Sequence, residues 1–377
     1  MQITRIKVDD LYGLHHYEIN FDKEACIKII HAPNGYGKTT LLKLMDAIMY
    51  YKLEEILHIP FRRFEIGFAD GLNIQVIKQY NNHFEKLEYI FQEEGDKTCC
   101  KCVLDHHKCE REIKDKLQEI RNKMPIHLIK ANRLILEDGG KDKVSAVMGY
   151  AKELGEKMKE ILAKSAKLNE LLDYNFPHAL LKMHMGHHEV ISYEQIQSEL
   201  RDIEAKRRSL EKIGLLTPIV THPLELNAQT SNYILRTLAV YIEDTKKKLA
   251  VFDDIAPRMQ LMQELINKRF IYKKMCLSQE EGFVFEVPYN EKLPADKLSS
   301  GEQNELILIF ELLFKSHMNA VILIDEPEIS LHIAWQQNFL EDMEKIAALT
   351  GVKLIIATHS PDIINGRWDL TTGLEEC

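Results

Sequence analysis

Ala32-Pro33-Asn34-Gly35-Tyr36-Gly37-Lys38-Thr39, followed by Thr40, lies between a strand-like run, Cys26 to Ile30, and a helix-like run, Leu41 to Met49. A β-favouring apolar run that passes through glycines into a helix is the setting a phosphate-binding loop requires. The glycines let backbone N–H groups converge on phosphate oxygens, and the helix N-terminus adds partial positive charge. Lys38 would bring a point charge to the terminal phosphates and the Thr39 hydroxyl would ligate Mg²⁺. Ala32 stands where the strict pattern has its first glycine, and alanine fits there only with negative φ. Taken alone, the stretch also reads as a glycine-rich turn that binds nothing.

Two further strand ends carry chemistry. Val321-Ile322-Leu323-Ile324 runs abruptly into Asp325-Glu326-Pro327-Glu328, as a buried parallel strand does where it reaches the active edge of its sheet. There Asp325 would hold Mg²⁺ through water and Glu326 would polarise an attacking water. The plainer reading is a core strand followed by an acidic turn. Lys353 to Ala357 is a third strand-like run, ending in Thr358-His359-Ser360-Pro361, about thirty residues on and across a helix-like stretch from Ala334 to Leu349. That separation is the length of a crossover unit. A lone histidine in such a place is otherwise a packing or capping residue. Upstream, Leu298-Ser299-Ser300-Gly301-Glu302-Gln303 precedes a helix, Glu302 to Phe314, whose apolar positions Leu306, Ile307, Ile309, Phe310, Leu313 and Phe314 mark it as buried. Ser299 either caps that helix or helps form a second anion site.

These four motifs, in this order, resemble the ATP-binding cassette superfamily, in particular its RecF, SMC and OLD-nuclease branch, over roughly residues 1–60 and 285–365. The resemblance implies an α/β P-loop NTPase with a cassette head: a mixed sheet with flanking helices and N-terminal antiparallel strands. Ile3 to Phe21 looks like that strand pair, with Leu14 after Gly13 in the turn. It implies ATP and Mg²⁺ as ligands, with Asn34, Gly35, Tyr36, Gly37, Lys38, Thr39 and Thr40 around the nucleotide and Lys38, Glu326 and His359 as the catalytic set. It makes Ser299, Ser300, Gly301 and Glu302 a signature motif acting on the nucleotide of another subunit, puts Ser330 and Leu331 in the D-loop, and makes His359 the switch histidine. Asp325-Glu326-Pro327-Glu328 followed by Leu331-His332 is closer to the OLD-like ATPases than to membrane transporters. A homodimer or higher homo-oligomer through ATP-sandwich heads follows. A physical argument supports it, since one nucleotide does not need a complete phosphate loop and a second helix end as well. The glutamine loop is left between Gln75, Gln79 and Gln92, which also read as solvent-facing strand residues. Arg62 and Arg63 are candidates for charge contacts.

A chain of 377 residues, 45% hydrophobic and 28% charged, has enough apolar content for a substantial core. The expected organisation is residues 1–104 as the N-terminal part of the head, 105–270 as a mainly helical insertion with a strand near 126–136, and 271–377 as the rest of the head. Helical patterns at Val144 to Leu172 and Tyr193 to Ile213, interrupted over Asp173 to His188, suggest a short antiparallel coiled coil. Helices at Ser231 to Val251 and Arg258 to Phe270 then lead into a hairpin, Met275 to Val287. No apolar run approaches the ~20 residues of a membrane span, and no charged-then-apolar leader opens the chain. A soluble cytoplasmic protein without a membrane is the expectation.

A net charge of −9 argues against a surface that attracts nucleic acid everywhere. The lysines from Lys157 to Lys167, Lys206-Arg207-Arg208 and Lys246-Lys247-Lys248 are either DNA contacts or solvated helix faces paired with nearby carboxylates. Cys99, Cys102, His106 and Cys109 suggest a tetrahedral Zn²⁺ site, but their spacing fits no standard finger and edge-strand cysteines in a reducing compartment explain them as well. Met183 to His188 reads as a loop able to bind a metal or simply as a loop. The functional expectation is an ATPase that dimerises on ATP and gates a protein effector, a nuclease or toxin, in an anti-phage defence or toxin-type system. The alternative is a repair or recombination ATPase of RecF or SMC type acting directly on DNA. Few residues follow Ser360 and no nuclease constellation is visible, which would place any cutting in a partner.

Overall fold

Ile3–Leu11 (β1), with Ile3, Ile6, Val8 and Leu11 buried, and the alternating His15–Asn20 (β2) form a hairpin, with positive φ at Asp10 near the end of β1 and at Tyr12 and Gly13 in the turn. Ile27–His31 (β3), with Ile27, Ile29 and Ile30 buried, precedes the glycine loop, Lys38–Tyr50 (α1) and Leu53–His58 (α2). Arg63–Phe68 (β4), Asn73–Asn81 (β5), Phe84–Gln92 (β6), Cys100–Val103 (β7), His107–Lys123 (α3) and Ile126–Ile129 (β8) follow. Next come Ala146–Met185 (α4), Tyr193–Lys212 (α5), Asn232–Ala250 (α6), Ile255–Arg269 (α7), Lys274–Ser278 (β9), Gly282–Val287 (β10) and Glu291–Leu293 (β11). The chain ends with Ser300–Phe310 (α8), Val321–Asp325 (β12), Ile333–Gln336 (α9), Phe339–Thr350 (α10), Lys353–Thr358 (β13), Pro361–Ile364 (α11) and Thr371–Gly373 (β14). The structure, a computed structural model, describes residues 1–22, 24–81, 84–93, 100–103, 107–130, 145–185, 192–219, 226, 227 and 229–374.

The chain forms two units, Met1–Arg133 with Ser300–Cys377, and Leu134–Ser299. In the first, a six-stranded antiparallel sheet, β2-β1-β4-β5-β6-β7, and a five-stranded parallel sheet, β14-β3-β13-β12-β8, share one core. Helix α1 lies between them. Leu41, Leu42, Leu44, Met45, Ala47, Ile48 and Met49 are all fully buried, while Lys43 and Tyr50 reach the surface, so most of the helix circumference is covered. The expected α/β architecture, with flanking helices and N-terminal antiparallel strands, is therefore present. Every residue of β12 is buried, which is why it reads as an unbroken apolar run. Parallel pairing aligns Asp325 with Ala357 and Ala357 with Ile30, so the carboxyl ends of β12, β13 and β3 meet at one edge.

In the second unit α6 packs on both α4 and α5, while the first half of α4 packs on β10 of a three-stranded antiparallel sheet, β11-β10-β9. That approach is close enough to require glycine. Gly282 has φ +70°, and a Cβ there would lie 1.7 Å from the Ala151 carbonyl oxygen.

Several expectations are corrected. Helix α4 runs for 40 residues straight through Pro177, where an interruption from Asp173 was expected. One proline removes a single backbone bond at a cost of about 3 kcal/mol, and the following Ala-Leu-Leu-Lys-Met favours helix strongly enough to resume it. The two arms do not simply coil together, because α6 joins them: Lys248 pairs with Asp173 of α4 at 2.6 Å and Lys246 with Glu199 of α5. The stretch Ala334 to Leu349 is two helices, parted at Gln337 and Asn338. Helix α8 starts at Ser300 and passes into a π-turn over Glu311–Lys315. The strand expected to reach Leu136 is β8 as far as Ile129, and residues 131–136 lie outside the described ones.

The units also divide the chain differently from the expected segments. Helix α3 and β8 belong with the first unit: the Arg121 guanidinium donates to the Met49 carbonyl, and the Tyr50 hydroxyl donates to that of Ile126 at 2.7 Å. Strands β9 to β11 belong with the helices because α4 packs on β10.

Candidate nucleotide site

The edge where β3, β13 and β12 end gathers the residues singled out from the sequence. After β3 the chain turns through Gly35 (φ +93°) and Gly37 (φ +78°), the left-handed region that glycine enters without steric cost. A Cβ on Gly37 would come within 3.0 Å of the Leu11 side chain, so space as well as φ selects glycine there. Ala32 is buried and is not among the residues with positive φ, which meets the condition for alanine at the first loop position.

Lys38 opens α1 and is only 3% exposed. Its ammonium donates to the carbonyls of Ala32 at 2.7 Å and Pro33 at 3.0 Å, so it is held within the loop that it would neutralise around a phosphate. Burial lowers its pKa, against the opposing pull of Glu326, Glu328 and Asp325. Thr39 donates its hydroxyl to Asp325 Oδ1 at 2.8 Å, joining the loop to a strand 286 residues away in sequence. Burial pushes the Asp325 carboxyl up, while the Thr39 hydrogen bond and the Lys43 charge pull it down. Two hard oxygen donors thus converge, the kind of ligand Mg²⁺ takes, and a dication there would favour the ionised carboxylate that burial disfavours.

At the end of β12 Glu326 adopts φ 41° and ψ 62°, a left-handed conformation unusual for a residue with a Cβ, and its N–H donates to the Ala357 carbonyl at 2.9 Å. This turn aims the side chain along the edge, where Glu326 Oε1 is 3.8 Å from Nδ1 of His359. Glu328 Oε1 is closer to the same ring nitrogen, 3.0 Å from it.

Residues 1–364 match the family described as the AAA ATPase domain. The chain belongs to that family. Over 85 residues it is 34% identical to a retron Ec83 probable ATPase of Escherichia coli, a stretch covering 20% of this chain and 15% of that protein. The chain therefore matches less than a fifth of that curated relative's length. Among solved structures it is similar to the SMC head domain from Thermotoga maritima, at 9% identity and TM-score 0.39, over 99% of this chain and 94% of that one. It is also similar to an Smc head domain derived from Pyrococcus furiosus, with an extended coiled coil and bound to the C-terminal domain of ScpA. There the identity is 14% and the TM-score 0.43, over 99% of this chain and 93% of the other.

In this AAA ATPase domain the structure brings Lys38, Thr39, Asp325, Glu326 and His359 together through two direct contacts, Thr39 with Asp325 and Glu326 with His359. The signature residues are placed differently. Ser299 is exposed at the end of the second unit, and Ser300, Gly301 and Glu302 open α8 in the first. Gln75 is half-buried on β5, and Gln79 and Gln92 are exposed. Sequence reading passed over three groups at the nucleotide edge. The Tyr12 hydroxyl and that of Thr40 share a hydrogen bond of 3.0 Å, which ties the β1–β2 turn to the start of α1. Tyr17 donates to the Tyr36 carbonyl at 3.0 Å and so braces the loop from β2. Glu328 and Gln336 form the third group, and only Glu328 left a trace, as the last residue of the acidic turn.

The expected Zn²⁺ ligands Cys99, Cys102, His106 and Cys109 lie outside the residues whose side chains are described, as do His187 and His188. Among the described residues no group of His, Cys, Asp and Glu is arranged to hold a metal ion, and no helix is long and apolar enough to cross a membrane. Most of the basic side chains in these runs face carboxylates. Lys157 pairs with Glu153, Lys164 with Glu160, Lys206 with Asp253, Arg207 with Glu211, Arg208 with Glu204 and Lys247 with Glu243.

Proposed function

We propose that this domain binds ATP with Mg²⁺ at the β3–β13–β12 edge and hydrolyses it, and that two chains associate around the nucleotide. Lys38 and the loop N–H groups bind the phosphates, while Thr39 and Asp325 hold Mg²⁺. An ion held there would supply positive charge against the phosphates in the transition state. Glu326 accepts a proton from water as the water oxygen bonds to the γ-phosphorus and the bond to the β-phosphate oxygen breaks, which yields ADP and phosphate. His359, whose Nδ1 is 3.8 Å from Glu326, would act on the γ-phosphate as the switch histidine. The observation that carries this reading is the 2.8 Å Thr39–Asp325 hydrogen bond, which unites the phosphate loop with the carboxylate strand.

Ser299, Ser300, Gly301 and Glu302 act in our reading on the nucleotide of a second copy, because a complete loop already occupies one helix N-terminus and α8 offers another. Loss of the γ-phosphate would then release the pair and, with it, a protein effector. The stretch shared with a retron ATPase supports a defence or toxin-type setting. Direct action on DNA has less support, since most of the basic side chains named above are matched by neighbouring carboxylates.

The test is ATP turnover by the purified chain with and without linear duplex DNA, using Lys38→Ala as the blank. Turnover absent from the blank and indifferent to DNA fits the effector reading. Strong stimulation by DNA would replace it with the repair reading. Wild-type turnover equal to the blank would remove the ATPase assignment itself.

A further inference from the structure

Glu328 lies outside the chemistry described so far, yet one of its carboxylate oxygens has three polar neighbours at the nucleotide edge. Its side chain is 6% exposed, whereas that of His359 is 40% exposed. One carboxylate oxygen, Oε1, accepts from the Thr358 hydroxyl at 2.7 Å and from the His359 backbone N–H at 2.9 Å, and it lies 3.0 Å from His359 Nδ1. The backbone of Glu328 is fixed as well. Gln336 Nε2 donates to the carbonyls of Glu328 at 3.4 Å and Leu331 at 3.1 Å, and Gln336 Oε1 accepts from the Ser360 hydroxyl at 2.8 Å. The Ser360 N–H closes the network on the Thr358 hydroxyl at 3.0 Å. The turn after β12 and the turn after β13 are thereby locked to each other.

We propose that Glu328 is the positioning residue of His359: by accepting the Nδ1 proton it fixes the imidazole tautomer, leaves Nε2 as the free ring nitrogen, and holds the ring off Glu326. The inference deepens the ATPase reading and rests on it for its consequence in turnover. A half-exposed histidine has several rotamers and two neutral tautomers, and the hydrogen bond made by one ring nitrogen decides what the other can do. Two carboxylates compete for Nδ1 here, Glu328 at 3.0 Å and Glu326 at 3.8 Å. The nearer one is anchored by two other donors and cannot follow the ring. Glu326, relieved of the histidine, keeps its carboxylate for water. Without Glu328 the imidazole and Glu326 would pair with each other, and both would be lost to the nucleotide.

The test compares wild type with Glu328→Gln, which keeps the shape and removes the charge, and Glu328→Asp, which keeps the charge but withdraws it by a methylene. Each is also made in a His359→Ala background. Charge-assisted hydrogen bonds are roughly twice as strong as neutral ones, so kcat should fall about tenfold or more in either single variant. KM for ATP should stay within about threefold, because the loss falls on the chemical step. In the His359→Ala background neither substitution should lower kcat further. A second readout needs no turnover: ring ¹⁵N shifts of the histidine-labelled, nucleotide-free chain, with His359→Ala supplying the assignment. Wild type should show the Nδ1-protonated tautomer at His359, and the variants a mixture. An unchanged tautomer in both variants overturns the proposal, and so does an equal loss of kcat with and without His359. Should wild type not hydrolyse ATP, the ATPase reading fails while the ¹⁵N comparison still decides the positioning role.

Discussion

The head and the helical unit handle charge in opposite ways. At the nucleotide edge Lys38 and Asp325 are 3% and 7% exposed, and burial moves both pKa values toward neutrality. Along α4 to α6 the charged side chains are mostly exposed and paired with a neighbour, many of them one helical turn away. Buried, incompletely compensated charge costs stability and is retained where a ligand will compensate it. Exposed pairs contribute little and mainly keep a long helical surface in water. In our reading one unit is built for chemistry and the other for shape.

The sharpest way to break this contrast is at Glu326. Glu326→Gln should keep ATP binding, lower turnover by about 10²–10⁴-fold as loss of a general base does, and accumulate the associated form with ATP in sedimentation velocity. Wild-type turnover in this variant would remove the role assigned to Glu326 and leave its strained backbone without a purpose.

The corresponding change in the second unit acts on stability. Gly282→Ala places a Cβ 1.7 Å from the Ala151 carbonyl oxygen at φ +70°, so the backbone of α4 or of the β9–β10 turn must move. We expect a loss of about 2–4 kcal/mol in denaturant unfolding, at the upper end for overpacking combined with an unfavourable φ. An unchanged midpoint would mean that the close approach of α4 to β10 is absent in solution.

Asp325 tests the claim that the edge gives up stability for function. Its folded pKa is raised above the unfolded value by burial, so the ionised form is disfavoured in the fold. Above that raised pKa the ionised group destabilises the protein, and the penalty disappears as pH falls toward the unfolded value. Asp325→Asn should therefore give a higher Tm than wild type in the nucleotide-free, Mg²⁺-free protein at pH 7. The two Tm values should converge as pH is lowered, and Mg²⁺-dependent turnover should be lost. A lower Tm at pH 7 would show that the charge on Asp325, through a stronger bond from Thr39 and attraction to Lys43 and Lys38, is worth more than its burial costs.

What was legible follows from where each determinant sits. The phosphate loop, the β12 carboxylates and His359 each end an apolar strand, and a strand reaching a sheet edge leaves a local mark in sequence. The Thr39–Asp325 contact bridges 286 residues and could be expected only from the motifs together. Glu328 looked like one more acid in a turn, because its role depends on Thr358, His359 and, through Gln336, on Ser360, which the fold brings up from the end of a neighbouring strand. Tyr12 had no signal at all; its link to Thr40 exists because β1 and β2 turn back toward α1. The long α4 was misjudged for a different reason. Pro177 is a strong local signal against helix, and packing of α6 along the whole face, from Asp173 to His184, outweighs it.

The smallest expected effect lies on that same face and bears on partner choice. Lys248 reaches from α6 to Asp173 of α4 at 2.6 Å, with side-chain exposures of 28% and 71%. A pair this exposed contributes about 0–1 kcal/mol, so Lys248→Gln should change the unfolding midpoint barely at all and leave turnover at the wild-type rate. If Lys246, Lys247 and Lys248 bound DNA, replacing all three with glutamine would reduce affinity for duplex and flatten its dependence on salt, by about one unit of slope for each phosphate no longer neutralised. Because each of the three already faces a carboxylate, Glu199, Glu243 or Asp173, we expect no change in either quantity. A flattened salt slope would show that these pairs open to admit phosphate. It would make the helical unit a second site of electrostatic function, and the contrast between the two units would fail at its weakest pairs.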